Sequence, residues 1–350
     1  SHFGLANWLK NGAGGFAPLC SMTAVAPLPS LSVVIPALNA ASVIEACLEA
    51  VFAQHYSGAL DVTVALAPSD DRTQEILDRW QSKESRLQVV ANPSGRTPTA
   101  LNLAIAASTG DLVARVDAQS ILPPGYLQQA ATTLERTGAA NVGGVQHPVG
   151  DDGMQRTIAL AMRSPFGAGP ASFRGHGQEG PVDTVYLGTF TRAALEAVDG
   201  FNESYLRNQD YELNWRLREA GFTVWFDPNL VVDYQPRPTL KKLASQYVQY
   251  GAWKRRMLLK NPRSLRLRQL AAPGLVLGLS GSFLVSFFNF FFSLILPIVY
   301  LAAILVASIT VRHHLTVGDR LRLSGVFLAM HLTWGFGFLF LSINESDVKP

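Results

Sequence analysis

Acidic side chains at two points of the chain have the type and setting to do chemistry. Asp117 directly follows the apolar run 112–116, and the acidic segment 208–217 contains Asp210 and Glu212. A carboxylate within hydrogen-bonding reach of a hydroxyl can remove its proton, and one beside a phosphate can help to hold a divalent cation. Each also has an ordinary structural interpretation, Asp117 as a turn residue after a strand and Asp210 as a helix cap.

An alternation of short apolar runs and amphipathic segments surrounds Asp117. It predicts a parallel sheet with helices on both faces. The predicted strands are 31–36, 61–67, 87–91 and 112–116, and the predicted helices are 42–54, 71–80 and 98–108. Ligands of such sheets bind at the carboxyl ends of the strands. We therefore expect one edge of the sheet to carry the polar residues that follow these strands, namely Asn39, Asp70, Asp71 and Asp117.

The next part of the chain has a less regular pattern. Strands are predicted at 140–149, 182–190, 223–226 and 230–234, and helices at 192–198 and 210–220. Between the first two of these strands, 162–181 is rich in glycine. This composition favours a mobile loop over the site, because long loops in compact domains are often functional.

The charged residues are unevenly distributed. The formal net charge is only +3, yet no acidic residue lies between Tyr234 and Gly318. Basic residues are concentrated at 237–268, and the stretch 270–311 that follows has no charged residue and no histidine. A basic flank of an apolar stretch is typical of the cytoplasmic side of a membrane, and it would attract anionic headgroups and phosphates.

The apolar stretch 270–311 is about twice as long as the roughly 20 residues that one transmembrane helix needs. Asn289 and Pro297 divide it, which predicts two connected spans. A third span is predicted at 323–343, where His331 is the one interruption. The alternative is a set of buried core helices.

Neither the first residues of the chain nor its cysteines indicate a chemical role. Cys20 and Cys47 are too few for a disulfide framework or a metal site. Residues 1–21 are glycine-rich, without periodicity and unlike a signal peptide. We expect them to be added sequence, with Met22 as the natural start.

Several short motifs, in this order, resemble the family 2 glycosyltransferases with a GT-A fold, over about 31–260. They are Val-Val-Ile-Pro-Ala-Leu-Asn at 33–39, Arg-Val-Asp-Ala at 115–118, Gly-Thr-Phe at 188–190, Arg-Asn-Gln-Asp-Tyr-Glu at 207–212 and Gln-Tyr-Val-Gln-Tyr-Gly at 246–251. Within that family the chain is most similar to the membrane-bound glucosyltransferases of succinoglycan-type polysaccharide synthesis. The resemblance implies an N-terminal extension at 1–30, an α/β catalytic domain at 31–240, a basic interfacial segment at 241–268 and about three transmembrane helices at 270–343.

The resemblance also implies roles for individual residues. Asp210 is the expected catalytic base, which takes the proton of the acceptor hydroxyl in an inverting transfer, and Glu212 is expected to pair with an arginine. The expected donor-binding residues are Pro36, Asn39, Asp70, Asp71, Arg96, Asp117 and Gln119. The acceptor is expected to contact Gly188, Thr189 and Gln209, and a phosphate or headgroup to contact Gln246, Lys254 and Arg255.

Three departures from the family pattern bear on the donor and the product. The family's Asp-x-Asp motif is Asp117-Ala118-Gln119 here, so the implied Mn²⁺ or Mg²⁺ has Asp117 as a ligand and a weaker amide ligand beside it. Leu66 or Ala67 stands where an aspartate usually binds uracil, which leaves UDP as the favoured nucleotide among others. The segment 246–256 lacks the Arg-Trp of processive relatives, which favours transfer of one sugar.

These features together predict a multi-pass glycosyltransferase of a bacterial-type inner membrane, with its catalytic domain in the cytoplasm. It would move one sugar from a nucleotide sugar, favoured as a UDP-sugar, to a lipid-linked or cell-envelope glycan. No nucleic-acid partner is expected. Two alternatives stay open: a synthase that attaches the sugar to polyprenyl phosphate, and a non-catalytic scaffold that binds a sugar nucleotide in an envelope complex.

Overall fold

The computed structural model describes residues 28–150, 153–169, 172–174, 177–311 and 314–343. The expectations for residues 1–21, for Met22 and for Cys20 lie outside these ranges.

The first half of the domain is a parallel α/β unit, as predicted. Its elements are β1 (Leu31–Ala37), α1 (Ile44–Phe52), β2 (Leu60–Leu66), α2 (Thr73–Gln81), β3 (Leu87–Ala91), α3 (Thr97–Ala107) and β4 (Leu112–Arg115). Strand β1 pairs in parallel with both β2 and β4, and β2 pairs in parallel with β3. Successive residues of β1 enter different cores: Val33 packs with Leu48 of α1, whereas Val34 packs with Leu101 of α3. A strand buried on both faces needs the continuous β-branched run seen here.

The second half completes an eight-stranded mixed sheet in the order β3-β2-β1-β4-β7-β5-β8-β6. Its elements are α4 (Tyr126–Thr137), β5 (Asn141–Pro148), α5 (Gly153–Arg163), α6 (Pro165–Ala168), β6 (Gly180–Pro181), β7 (Tyr186–Thr191), α7 (Arg192–Ala197), α8 (Gln209–Glu219) and β8 (Val224–Tyr234). Strand β7 is antiparallel to β4 and β5, and β6 is antiparallel to β8. The parallel arrangement predicted from alternation is therefore interrupted by β7 and β6, whereas β5 and β8 pair in parallel and run in the same direction as β4. The path of the preceding connection, and not the strand's own residues, decides the direction of each strand.

Two local expectations differ from the structure. The strands predicted at 223–226 and 230–234 form one strand, β8, whose pairing with β5 shifts register between Gly143 and Val145. The glycine-rich stretch 162–181 contains the end of α5, the short helix α6 and a 3-10 turn at Ser172–Arg174. Phe166 holds part of it in place, because its ring packs edge-to-face on Phe327, with 5.2 Å between the centroids.

The C-terminal part is helical. It comprises α9 (Leu240–Lys260), 3-10 turns at Pro262–Ser264 and Leu267–Leu270, α10 (Ala271–Val285), α11 (Phe290–Ser293), α12 (Ile295–Thr310) and α13 (Val317–Phe340). Helices α9 and α13 pack closely because glycines lie at their contact. A Cβ on Gly251 would lie 2.1 Å from the carbonyl oxygen of Trp334, and one on Gly337 would lie 2.0 Å from that of Val248.

Two described helices are long and apolar enough to cross a membrane by length and composition: Phe290–Thr310, which includes α11 and α12, and Val317–Phe340. Helix α10 has 15 residues. At 1.5 Å per residue it spans about 22 Å, short of the roughly 30 Å of a hydrocarbon core. The prediction of about three spans thus reduces to two candidates among the described residues. Phe288 and Phe291, 93% and 84% exposed, add apolar surface around them.

Candidate active site

Three charged side chains meet at the carboxyl end of β4. Arg115 is the last residue of that strand, Asp117 follows it, and Asp210 lies in the first turn of α8. The guanidinium of Arg115 donates to Oδ1 of Asp117 from Nε at 3.1 Å and from Nη2 at 2.9 Å. Its Nη1 donates to Oδ1 of Asp210. One arginine therefore holds both carboxylates that the sequence marks as chemically important.

Arg115 is 7% exposed and carries a permanent charge. Burial lowers the pKa of its guanidinium, but the charges of Asp117 and Asp210 outweigh burial and raise that pKa above its ordinary value. A buried cation is stable only with such partners, because an unpaired charge away from water is costly. The ion pairs therefore fix the relative positions of β4 and α8.

Asp210 is the second residue of α8 and does not cap that helix. The residue before the helix is Asn208, in a left-handed conformation with φ 58°. The Asp210 side chain is 41% exposed, so one face of the carboxylate is open to a ligand. Burial raises its pKa, Arg115 opposes that rise, and the negative charge of Asp117 adds to it. A carboxylate with increased proton affinity that still reaches solvent is suited to accept a proton from a hydroxyl.

Glu212 has a structural role, as predicted. It is 2% exposed and pairs with Arg216 through two bonds, Nε to Oε1 at 2.9 Å and Nη2 to Oε2 at 2.8 Å. Arg216 also donates to the carbonyl oxygens of Val198 and Gly200. Glu212 therefore connects α8 to the end of α7 and is not a second base.

The loops after β1 and β2 lie on the side of this edge where the donor is predicted to bind. Asn39 has φ 47° and joins the two loops: its N–H donates to Ser69 Oγ at 3.0 Å, and its Oδ1 accepts from the N–H of Asp70 at 2.9 Å. The Asp71 carboxylate accepts from Thr73 and from the N–H of Ala41, and these bonds, the one from the Thr73 hydroxyl first, lower its pKa. Asp71 and Asp70 are both exposed, but the Asp71 carboxylate is engaged in hydrogen bonds of the loop.

The remaining predicted donor residues lie along the same edge. Pro36 is partly exposed near the end of β1, and Gln119 is exposed just after Asp117. Arg96 precedes α3, and its Nη2 is buried with no hydrogen-bond partner among the residues that the structure describes. An orphaned guanidinium nitrogen at the edge where phosphate is predicted to bind is a candidate for an anionic ligand.

The residues at Asp117 fit a divalent cation only if the ligand brings most of the donor atoms. The described residues contain no group of three histidine, cysteine or acidic side chains that could hold a metal by itself. Both bonds from Arg115 go to Oδ1 of Asp117, and Gln119 adds one amide oxygen nearby. Mg²⁺ is usually bound by one or two carboxylates together with substrate phosphates, and this donor set agrees with that pattern.

Comparison with known proteins identifies the family. Residues 32–198 match the family described as glycosyl transferase family 2. The succinoglycan biosynthesis protein ExoA of Rhizobium meliloti (strain 1021) is 31% identical over 240 residues, which cover 68% of this chain and 73% of that protein. The chain belongs to glycosyl transferase family 2. It is therefore a glycosyltransferase.

One further relative and one solved structure are also similar to this chain. A diacetamido-dideoxy-glucuronosyltransferase of Methanococcus voltae, named for a dolichyl N-acetyl-α-D-glucosaminyl phosphate, is 28% identical over 66% of this chain and 74% of its own length. The mannosyltransferase PcManGT of Pyrobaculum calidifontis, solved with GDP-Man and Mn²⁺, superposes with a TM-score of 0.57 at 19% identity and covers 89% of each chain. At that identity the superposition establishes the GT-A fold of this glycosyltransferase.

The residues expected to contact the acceptor are divided between the core and the surface. Gly188 and Thr189 are buried in the middle of β7, and Thr189 is 1% exposed. A Cβ on Gly188 would lie 2.4 Å from Oδ1 of Asn141, so the glycine is required by packing. Gln209 is partly exposed as the first residue of α8, directly beside Asp210. Of these three side chains, Gln209 alone is placed where a ligand at Asp210 could touch it.

The three residues expected at a phosphate or headgroup do not share one site. Gln246 donates to the hydroxyl of Tyr250 at 2.8 Å, and Arg255 donates to the carbonyl oxygen of Leu339 at 2.9 Å. Lys254 is 4% exposed. The physical reason is helical geometry, because residues nine apart on α9 point in nearly opposite directions at about 100° per residue. The three side chains therefore do not converge on one point of α9, and their contact with a phosphate or headgroup stays a prediction.

The structure adds functional candidates that the sequence pattern left without a role. Arg115 is part of the Arg-Val-Asp-Ala motif, but Asp210 is 95 positions away along the chain. Nothing in the local sequence therefore indicates the ion pair between Arg115 and Asp210. Arg174 donates from Nη1 to Oε1 of Gln146 at 2.6 Å. Tyr186, the first residue of β7, has its pKa raised by burial and by the charge of Asp117, which places it near that carboxylate.

Proposed function

We propose that this enzyme is an inverting glycosyltransferase that moves one sugar from a nucleotide sugar to a lipid-linked acceptor, with Asp210 as the catalytic base. The carboxylate pair that Arg115 holds carries this proposal. Asp210 is open on one face and has a raised pKa, and Asp117 lies beside it on the donor side. The two groups are thus placed to serve the two halves of one displacement.

The proposed reaction follows from these positions. The acceptor hydroxyl gives its proton to the Asp210 carboxylate while its oxygen bonds to the anomeric carbon of the donor sugar. The bond between that carbon and the diphosphate oxygen breaks on the opposite face, so the configuration inverts. Arg115 keeps Asp210 oriented and stays paired throughout, and Arg96 is available to the leaving phosphates. A bound Mn²⁺ or Mg²⁺ would neutralise charge on the leaving diphosphate, with Asp117 as its protein ligand.

The acceptor and the location are inferred from the C-terminal helices and the relatives. Two apolar helices and the basic segment 237–268 support a multi-pass protein of a bacterial-type inner membrane with a cytoplasmic catalytic domain. The relatives named for succinoglycan biosynthesis and for a dolichyl-linked sugar support a lipid-linked or envelope glycan as acceptor. A UDP-sugar stays the favoured donor.

The test is transfer of labelled sugar from a panel of nucleotide sugars into a lipid extract. We expect label in the lipid fraction with the unchanged protein and with Asp78→Asn, an exposed control on α2. Asp210→Asn should lower the rate by about 10² to 10⁴, the range for loss of a general base. Equal rates for both variants would refute the assignment of Asp210.

The same assay separates the two alternatives. Polyprenyl phosphate alone, supplied in place of the extract, would accept the sugar only if the enzyme attaches sugar directly to the phosphate. Failure of every donor with every acceptor, with donor binding retained in the unchanged protein and in Asp210→Asn, would favour the scaffold and contradict our proposal.

A further inference from the structure

A group of basic residues surrounds a single carboxylate on the side of the domain next to α10. The Asp183 carboxylate accepts hydrogen bonds from Arg266 and from Nη2 of Arg268, the latter at 3.3 Å. It also forms an ion pair with Nη1 of Arg218 at 3.8 Å. Lys254 extends from α9, and the charges of Asp183 and of all three arginines affect the pKa of its amino group. We call these five residues the Asp183 cluster.

The Asp183 cluster has more positive charge than its carboxylate can neutralise. Lys254 is 4% exposed, and its Nζ lies 3.5 Å from the carbonyl oxygen of Ser264 and 3.6 Å from the ring centroid of Tyr211. Burial first, and then Arg268, lower the pKa of Lys254 to about 7. Nε of Arg218 is buried with no partner among the described residues. Both features indicate a site that an additional anion would stabilise.

The cluster is separate from the catalytic edge. Arg218 lies eight residues after Asp210 on α8, which is about 12 Å along the helix. Arg266 and Arg268 belong to the turn that directly precedes α10, the first apolar helix. Beside them Leu267 is 84% exposed and Leu270 is 40% exposed. Exposed leucines alternating with arginines at the start of an apolar helix are suited to the boundary between headgroups and acyl chains.

We propose that the Asp183 cluster binds the phosphate of an anionic phospholipid headgroup. Arginine recognises phosphate through paired N–H donors, and Arg266 and Arg268 present two guanidinium groups side by side on Asp183. The headgroup phosphate supplies the missing negative charge while Leu267 and Leu270 contact the acyl region. The lipid is a structural ligand and not the acceptor, because the two arginines that meet its phosphate lie in the turn before α10 and not on the first turn of α8, which carries Asp210. This inference rests on the membrane association in the proposed function.

The experiment uses native mass spectrometry of the full-length chain in detergent, titrated with phosphatidylglycerol or with phosphatidylcholine. We expect the unchanged protein to retain phosphatidylglycerol preferentially. Arg266→Gln/Arg268→Gln should weaken this retention by about tenfold or more, since each basic residue near an anionic lipid contributes strongly. The matched control is Lys241→Gln/Lys242→Gln, which removes the same charge from exposed positions at the start of α9 and should change retention less than about twofold.

Two results would overturn the inference. Equal loss of phosphatidylglycerol in both double variants would show general attraction by net charge and not a site. Displacement of the lipid by millimolar inorganic phosphate would assign the cluster to a free phosphate. Sugar transfer is measured on the same preparations: Asp210→Asn should keep its lipid, and Arg266→Gln/Arg268→Gln should keep transfer in detergent. Failure of the lipid site is thus distinguishable from failure of the proposed function.

Discussion

Arg115 at the end of β4 forms an ion pair with Asp210 in the first turn of α8, across 95 positions of the chain. The pair joins the parallel half of the sheet to α8, the helix between α7 and β8. Since the same guanidinium also holds Asp117, a change at Arg115 affects both carboxylates at once.

Arg115→Met is expected to lower both stability and activity. It leaves Asp117 and Asp210 close together without the cation between them. Removing one partner of a buried ion pair costs about 3–5 kcal/mol. We expect about 2 kcal/mol here, because the Asp210 side chain is 41% exposed and solvent screens part of the interaction. Urea unfolding of the two proteins measures this difference.

The control for that prediction is Arg72→Met. Arg72 also pairs with a carboxylate, Glu75, but its side chain is 76% exposed. Solvent screens a surface pair of this kind, so Arg72→Met should leave stability nearly unchanged. If both methionine variants lost the same stability, Arg115 would have no special role in joining β4 to α8.

The pH dependence of transfer should report the pKa of Asp210. As a base it works only when ionised, so kcat/KM must fall as the pH is lowered through its pKa, which burial raises above that of an ordinary aspartate. Asp117→Asn removes a negative neighbour that raises this pKa. The acid limb of the profile is therefore expected to move to lower pH, even if the rate itself decreases.

This shift is measured on rates normalised to each variant's maximum, so that a loss of donor binding does not obscure it. Asp78→Asn serves as the control and should leave the limb in place. An acid limb that stays fixed in Asp117→Asn would mean that a group other than Asp210 titrates.

The parallel half of the fold could be predicted because the apolar pattern of each strand there indicates which of its faces are buried. The run at 31–36 is β-branched and buried on both faces, and the periodicity of α1 places Ile44, Cys47 and Leu48 on one side. The reversed direction of β7 and β6 could not be predicted in this way. It depends on how the chain returns through α5 and α6, and these helices are held by contacts with α13 far along the chain.

The candidate site was predictable to a similar extent. Asp117 and Asp210 stood out by type and setting, and the structure brings them to one guanidinium. Glu212 was expected to pair with an arginine, and Arg216 lies one helical turn further on. In contrast, Thr189 and Arg255 were assigned to ligands, and their side chains are engaged in packing and in a bond to α13. Burial, and hydrogen bonds between residues far apart in the sequence, leave no local sequence pattern.

The contact between α9 and α13 gives a packing prediction. Gly251→Ala places a Cβ 2.1 Å from the carbonyl oxygen of Trp334, so the helices must separate. Overpacking of this kind costs about 1–3 kcal/mol. Gly274→Ala, on α10, meets no atom within 4 Å and should be neutral or slightly stabilising. Thermal unfolding in detergent compares the two, and an equal midpoint for both variants would contradict the close packing.

Gln119→Asp tests how the altered acidic motif affects cation use. Gln119 is exposed two residues after Asp117, so the change adds a second carboxylate beside the proposed cation ligand. Carboxylates bind hard cations more strongly than amide oxygens do. We expect the Mn²⁺ concentration for half-maximal transfer to fall by about tenfold, which corresponds to about 1.4 kcal/mol. Gln81→Asp, at the exposed C-terminal end of α2, is the control for added charge, and it should leave the Mn²⁺ requirement unchanged. An unchanged requirement in Gln119→Asp would place the cation, if transfer needs one, away from Asp117.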